Sequence, residues 1–453
     1  MLSARPRGGY DAAKPMSHAD TIFALSSGPP PAGVAVIRIS GPGVRFGLET
    51  LIDSIPEPRR ASLASIHGSS GDLIDRGLVL FFPAPASFTG EDVAEFHLHG
   101  GRAVVAALLA ALSALPGFRP AEAGEFTRRA FASQRMDLTQ VEGLADLIAA
   151  ETEAQRRQAL RQADGALGRL YDGWREQLIR ARALIEAELD FPDEEDIPGS
   201  VSVQSWDSVA ALEKEIVNHL ADRRGERLRD GAEVVILGPP NAGKSSLLNA
   251  IARRDVAIVT PEPGTTRDLI EVKLDLAGYP VTLVDTAGLR EAEGAVEREG
   301  IRRAGERASR ADIVLWLSDV SGEAASAPLP GAISVATKID LIDSDAQRSR
   351  LAAFDVAVSS TTGEGIDRLL DILSSRLADL PSPESVLITR ARHRAAVQAC
   401  LDAIRAGIAD PVRPLELRAE DLRRAADALG RVTGGIDVED LLDVIFRDFC
   451  IGK

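Results

Sequence analysis

Gly238-Pro-Pro-Asn-Ala-Gly243-Lys244-Ser245 decides the fold class of this chain. It matches G-x-x-x-x-G-K-[ST], and its flanks are what that string requires. The apolar run Val234-Val-Ile-Leu237 precedes it as a strand, and Ser246-Leu-Leu-Asn-Ala-Ile-Ala252 follows as a helix. Glycines let successive backbone N–H groups wrap phosphate oxygens, and the helix N-terminus adds positive potential. In such a loop Lys244 reaches the outer phosphates and Ser245 supplies a hydroxyl to Mg²⁺.

Further nucleotide elements follow in order. Asp285-Thr-Ala-Gly288 ends a strand about 40 residues on. A carboxylate there holds Mg²⁺ through water, and the glycine contacts a γ-phosphate. Pro263-Gly-Thr-Thr-Arg-Asp268 lies between. A threonine in this loop, Thr266, completes the Mg²⁺ shell when a triphosphate is bound and orders the loop as a switch. Thr337-Lys-Ile-Asp340 stands where guanine readers carry Asn-Lys-x-Asp. Asp340 is placed to accept the two N–H groups of the guanine edge, which adenine does not offer. Thr337 departs from the usual Asn. Ser359-Ser-Thr361 suits a loop closing over the base.

The strands around these motifs are Val281-Thr-Leu-Val284, Ile313-Val-Leu-Trp-Leu317, Ile333-Ser-Val-Ala336 and Val356-Ala-Val358, short apolar runs of the buried parallel type. Alternating with helices over 230–382, they predict a doubly wound α/β domain. On either side the texture is different. From Arg135 to Leu189 the chain has long-helix composition, with Leu138, Val141, Leu144, Leu147 and Ile148 on one stripe. Asp190-Phe-Pro-Asp-Glu-Glu-Asp-Ile-Pro198 breaks it, and helix resumes over about 203–226. Helical composition returns over about 385–446. The α/β unit therefore interrupts a helical domain, with parts at 134–229 and 383–453. Before it, 18–133 mixes strands (Val34–Ile39, Leu78–Phe82, Asp92–His99) with a helix from Arg102 to Leu115 and predicts an α+β domain. Residues 1–17, with Arg5, Arg7 and Lys14 but no apolar core, read as a disordered extension, Met16 being an alternative start and a short transit peptide the other reading.

Bulk composition narrows the function classes. The net charge is −16, against a protein that coats nucleic acid non-specifically, though compatible with a local basic patch that docks one RNA. Two cysteines, Cys400 and Cys450, make no disulfide scaffold. No window offers ~18 consecutive apolar residues, so neither a membrane span nor a membrane partner is expected, and the expected location is cytoplasmic.

With these motifs in view, the chain resembles the tRNA-modification GTPase MnmE (TrmE) family over about residues 18–453. Four segments outside the nucleotide motifs carry the resemblance. They are Asp20-Thr-Ile-Phe-Ala24 with Gly33-Val-Ala-Val-Ile-Arg-Ile-Ser-Gly-Pro42; Ser87-Phe-Thr-Gly-Glu-Asp-Val-Ala-Glu95 leading into His97-Leu-His-Gly-Gly101; Gly124-Glu-Phe-Thr-Arg-Arg-Ala-Phe131 with Met136-Asp-Leu-Thr-Gln140; and the ending Phe449-Cys-Ile-Gly-Lys453. The resemblance implies an N-terminal folate-binding and dimerisation domain, a discontinuous helical domain and an inserted Ras-like P-loop GTPase domain. It implies a homodimer that hydrolyses GTP and works on tRNA in a heterotetramer with an FAD-dependent partner protein. Together they place an aminomethyl or carboxymethylaminomethyl group on carbon 5 of the wobble uridine, the one-carbon unit coming from 5-formyltetrahydrofolate or a related folate.

Position by position, the nucleotide set expected is Asn241, Ala242, Gly243, Lys244, Ser245 and Ser246; Thr260, Pro261, Glu262, Pro263, Gly264, Thr265 and Thr266; Asp285, Thr286, Ala287 and Gly288; Thr337, Lys338 and Asp340; and Ser359, Ser360 and Thr361. The resemblance puts K⁺ on Asn241 with Thr260, Glu262 and Thr265, in the role an arginine finger plays elsewhere; read alone, Asn241 is also a turn former. No Gln follows Gly288, and the family pattern assigns catalysis to Glu297, beside Lys244. By composition Glu297 is one of several carboxylates on an exposed helix. Arg38, Glu95 and Lys453 match folate positions, and Arg135 stands where Lys is usual, a bidentate donor replacing a point charge. Taken alone, Arg38 reads as a surface cation and Glu95 as a strand-edge carboxylate. His97 and His99 share a strand face, as folate-site walls or packing rather than as a metal pair lacking a third ligand. Cys450 is a nucleophile candidate or a structural thiol. The rival readings are a ribosome-assembly GTPase binding rRNA, a regulatory switch without turnover, and a folate module with a degenerate nucleotide site.

Overall fold

The computed structural model describes residues 20–68, 70–190, 201–254, 256–258, 270–285, 307–320, 331–342, 344–377 and 387–436, together with 442, 445, 446, 449 and 452. The chain forms two compact units, Met1–Ala145 with Gly430–Lys453, and Asp146–Leu429.

The first unit is built on a six-stranded sheet of β1 (Thr21–Leu25), β2 (Ala32–Ser40), β3 (Ser62–His67), β4 (Leu73–Phe82), β5 (Val93–Gly100) and β6 (Phe118–Pro120), in the order β3-β4-β5-β2-β1-β6. Only the β1–β6 pair is parallel. The two-residue period of β2 sets its faces. Ala35, Ile37 and Ile39 pack against Val44 and Leu48 of the helix Val44–Leu51 and Leu108 and Leu112 of the helix Arg102–Ser113. The opposite face carries Arg38. There Ile22, Ala24, Ala121 and Phe126, with Phe88, make a smaller apolar layer beneath the helix Glu125–Ala132. The chain's end belongs here as well. Phe446 and Phe449 bury against Val141, beside Phe131 and Met136. Gly452 has φ +99, and a Cβ on it would stand 2.2 Å from the Leu25 carbonyl. Gly430–Lys453 falls with the first unit, where Phe446 and Phe449 pack.

In the second unit, helices on both sides of the α/β segment form one bundle. Ala166–Asp190 packs along Val201–Ala221, which packs along Ala391–Ala409. Tyr171, Leu178 and Ile185, seven apart on one stripe, are fully buried, as are Ile216, Val397 and Ile404. The helical stretch that composition runs unbroken to Leu189 is three helices, Leu138–Ala149, Glu153–Ala163 and Ala166–Asp190. Thr152 caps the second through a reciprocal box with Gln155, and Gly165 at φ +80 separates the second from the third. After Val201–Ala221, a further short helix, Arg224–Asp230, leads into the sheet.

That sheet comprises β7 (Ala232–Leu237), β8 (Ile270–Leu276), β9 (Tyr279–Asp285), β10 (Ile313–Asp319), β11 (Ile333–Thr337) and β12 (Val356–Ala357), in the order β12-β11-β10-β7-β9-β8. Val234, Ile236, Leu283, Leu315 and Val335 form its core with Leu247 and Ile251 of the helix Lys244–Ala252 and Leu369 and Leu373 of the helix Ile366–Leu377. Five strands are parallel, as the apolar runs predict, but the edge strand β8 is antiparallel to β9. Ala277 and Gly278, at φ 54 and 90, make the tight turn between them. Among the described residues, no helix is long and apolar enough to cross a membrane.

Candidate functional site

Because β7, β9, β10 and β11 are parallel, their C-terminal ends share one edge of the sheet, and the chemistry-bearing side chains leave from that edge. The phosphate loop follows β7. Gly238, at φ +153, passes close under β10, where a Cβ would stand 2.5 Å from the Leu317 carbonyl. Asn241 is left-handed at φ 61 and exposed, the turn-forming conformation its residue type tolerates. Gly243, at φ 89, is the N-cap of Lys244–Ala252 and leaves the first N–H groups of that helix without side-chain caps.

Lys244 Nζ donates to the carbonyls of Gly238 and Pro239, both at 2.9 Å. Burial holds its ammonium below the usual lysine range, with the Asp285 carboxylate pulling the other way. Ser245 Oγ donates to Asp285 Oδ2 at 2.5 Å, and Asp285 is fully buried. Two hard oxygen donors, from the helix after β7 and the end of β9, thus meet at one point beside a cation. Ser246 is exposed on the first helical turn. Thr260, Pro261, Glu262, Pro263, Gly264, Thr265, Thr266, Thr286, Ala287, Gly288 and Glu297 lie outside the described residues.

The base-reading strings sit on the same edge. Thr337, only 2% exposed at the end of β11, donates its hydroxyl to the Ala242 carbonyl at 2.8 Å and faces the Ser318 carbonyl at 3.2 Å. Sequence reading noted the departure from Asn but not this tether. Lys338 is left-handed at φ 59, and its Nζ pairs with Asp319 Oδ2 at 2.6 Å. Asp340 is exposed, and its Oδ1 accepts from Ser359 Oγ at 2.6 Å. Ser359 Oγ in turn accepts from the backbone N–H groups of Thr361 and Thr362 at 3.2 and 3.1 Å. The loop after β12 therefore fixes the carboxylate of the loop after β11. Ser360 is half-buried beside it.

In the first unit, Arg38 and Glu95 are register partners on β2 and β5 and form an ion pair at 2.8 Å. The Arg38 guanidinium lies 5.5 Å from the Phe88 ring centroid and 5.8 Å from that of Phe126. Both phenylalanines fall inside motifs quoted from the sequence, where they carried no role. His97 Nε2 lies 3.2 Å from Glu95 Oε2, while the exposed His99 turns to Asp75, its Nδ1 at 2.9 Å. Asp75 is held below the usual carboxylate range by the hydrogen bonds from His99, against the opposing effect of its own burial. Arg135 is exposed, and a Cβ on Gly90 would stand 3.4 Å from its Cγ. Lys453 and Cys450 lie outside the described residues. Sequence reading also passed over Arg129. It is 1% exposed and pairs with Asp20 at 2.8 Å, Glu91 at 3.1 Å and Glu125 at 3.5 Å, joining β1, the loop before β5 and the helix Glu125–Ala132. Its only sequence signal is a place inside Gly124–Phe131.

Comparison with known proteins covers both units. The family described as the MnmE helical domain matches residues 138–450, and that described as the GTP-binding protein TrmE N-terminus matches residues 21–135. The chain is 56% identical over 439 residues to the tRNA modification GTPase MnmE of Brucella canis, covering 96% of this chain and 99% of that one. It is equally identical, at 56% over 439 residues, to the Brucella anthropi protein of that name, covering 96% of this chain and 98% of that one. Among solved structures, the G domain of the T. maritima FeoB iron transporter is 27% identical, with 33% of this chain and 99% of that one covered and a TM-score of 0.23.

Proposed function

The chain belongs to the MnmE family of tRNA modification GTPases, and from that membership and the site just described we propose that it hydrolyses GTP in the service of tRNA modification. The observation that carries this reading is the meeting of Ser245 and Asp285 at 2.5 Å beside Lys244. The phosphate loop wraps the triphosphate with its backbone N–H groups, and Lys244 moves from the Gly238 and Pro239 carbonyls to the outer phosphate oxygens. Ser245 and Thr266 would hold Mg²⁺, with Asp285 acting through water, as the ion's preference for hard oxygen donors requires. When bound, that ion neutralises charge between the β- and γ-phosphates. Asp340, steadied by Ser359, selects guanine. Glu297 orients the attacking water.

The finer reading extends to partners and cofactors. Asn241, with Thr260, Glu262 and Thr265, holds K⁺ next to the phosphates, which makes hydrolysis potassium-stimulated. In the first unit, Arg38, Glu95, Arg135 and Lys453 hold 5-formyltetrahydrofolate or a related folate. The Arg38–Glu95 pair beside the half-buried Phe88 suits a flat heterocycle, since that ring offers an apolar face and the carboxylate accepts ring N–H groups. The protein works as a cytoplasmic homodimer with an FAD-dependent partner and modifies carbon 5 of the wobble uridine. The test is the GTP hydrolysis rate of the purified chain in potassium against sodium at equal ionic strength. Activation by potassium alone is expected; equal rates would remove the ion from the mechanism and require an arginine from a partner.

A further inference from the structure

The departure from Asn at position 337 has a physical consequence for how the base is read. Guanine presents N7 and O6 as acceptors on one edge and N1–H and N2–H as donors on another. Reading N7 takes a hydrogen-bond donor, in the usual string the Asn amide. An Asn amide has two N–H donors, enough to hold the phosphate loop with one and approach the base with the other, whereas a Thr hydroxyl has one. Thr337 directs that single proton at the carbonyls of Ala242 and Ser318 and is 2% exposed. The neighbouring cation of Lys338 is held by Asp319 at 2.6 Å. The acceptor that faces the other base edge, Asp340, is oriented by Ser359.

We propose that Thr337 is a positioning residue that ties the phosphate loop to β10 and β11 and leaves N7 of the base unread, so that base selectivity rests on Asp340 as oriented by Ser359. The proposal rests on the GTP-hydrolase reading above and specifies its recognition of the base. Adenine shares N7 with guanine but not the N1–H donor, so a site built this way discriminates guanine from adenine without contacting N7.

The experiment compares steady-state kcat/KM of the full-length protein for GTP, ATP and 7-deaza-GTP, in which a C–H replaces N7. The expected result is GTP and 7-deaza-GTP within about twofold of each other, with ATP at least about 100-fold worse, since the Asp340 carboxylate would face the unprotonated N1 of adenine where guanine offers an N–H donor. Thr337→Asn restores a second donor and is expected to favour GTP over 7-deaza-GTP by about fivefold, the worth of one ordinary hydrogen bond. Thr337→Ala releases the loop and raises KM for GTP and 7-deaza-GTP by the same factor. The unchanged ratio shows that the side chain does not read N7, and recovery of KM in Thr337→Ser, which keeps the hydroxyl that reaches Ala242, separates the tether from general loss of structure. A wild-type preference for GTP over 7-deaza-GTP of about fivefold or more would overturn the proposal and leave the GTPase reading standing. Hydrolysis of ATP as fast as GTP would instead remove the guanine reading, and this proposal with it.

Discussion

His219 offers a prediction whose size follows from the packing of the helical bundle. Its ring stands edge-on to Trp174, with centroids 5.2 Å apart, and to Tyr171, at 5.8 Å, and its Nε2 lies 3.1 Å from the Tyr171 hydroxyl. Burial among these rings lowers its pKa from 6.5 to about 4; Asp222 opposes the shift, and Arg394 and His393 add to it. The folded state therefore holds the imidazole neutral where the unfolded chain takes up a proton. The contribution is fully present above pH 6.5 and is lost as pH falls through the window down to about 4. At ~1.36 kcal/mol per pKa unit the whole window is worth about 3 kcal/mol, and the step from pH 7 to pH 5 about 2 kcal/mol. His219→Phe keeps a ring between Tyr171 and Trp174 but cannot titrate. It should lower stability at pH 7 by about 1 kcal/mol through the lost hydrogen bond, yet flatten the pH dependence. The assay is urea unfolding of wild type and variant at pH 7 and pH 5, followed by tryptophan fluorescence; all three tryptophans, Trp174, Trp206 and Trp316, lie in the second unit. Other groups titrate in both proteins, so the difference between the two pH steps isolates His219. If the two steps agree to within about 0.5 kcal/mol, below the resolution expected of independent sites, His219 is not buried neutral and the reasoning fails.

Two further outcomes are expected. Glu297→Ala should bind GTP as wild type does but hydrolyse it at least about 100-fold more slowly, the lower range for a positioned acid–base group, and normal single-turnover hydrolysis would reject that role. Thr152→Ala removes the capping box that starts the helix Glu153–Ala163, and should lower stability by about 1 kcal/mol in urea without moving the KM for GTP; an unchanged unfolding midpoint would show that the cap carries no stability.

How much of this was legible in the sequence depends on how local the constraint is. The phosphate loop was legible because phosphate geometry fixes residue types at fixed spacing, and the loop sits between Ala232–Leu237 and Lys244–Ala252 as expected. The parallel strands were legible because both faces are buried, giving unbroken apolar runs. β8 escaped notice. It alternates Glu271, Lys273 and Asp275 with Val272, Leu274 and Leu276, and it turns on Ala277-Gly278 rather than a typical hairpin pair. β3 was hidden for a related reason: as an edge strand it exposes Leu63 and carries Ser62, Ser65 and His67, so no apolar run marks it. The break before Glu153 needs neither Pro nor Gly, only the Thr152–Gln155 pair, which a composition reading passes over. In the site, single residues were named but their joints were not. Thr337 reaches Ala242 across 95 positions and Arg129 reaches Asp20 across 109. Nothing local in the sequence specifies such pairs.

Action of this GTPase in tRNA modification is tested most directly by nucleoside mass spectrometry of tRNA from cells in which the gene is deleted, then complemented with wild type or with Lys244→Ala. Loss of the 5-substituted wobble uridine is expected on deletion, with recovery on complementation with wild type and none with the variant. Unchanged modification in the deleted cells, or full recovery with Lys244→Ala, would contradict that role.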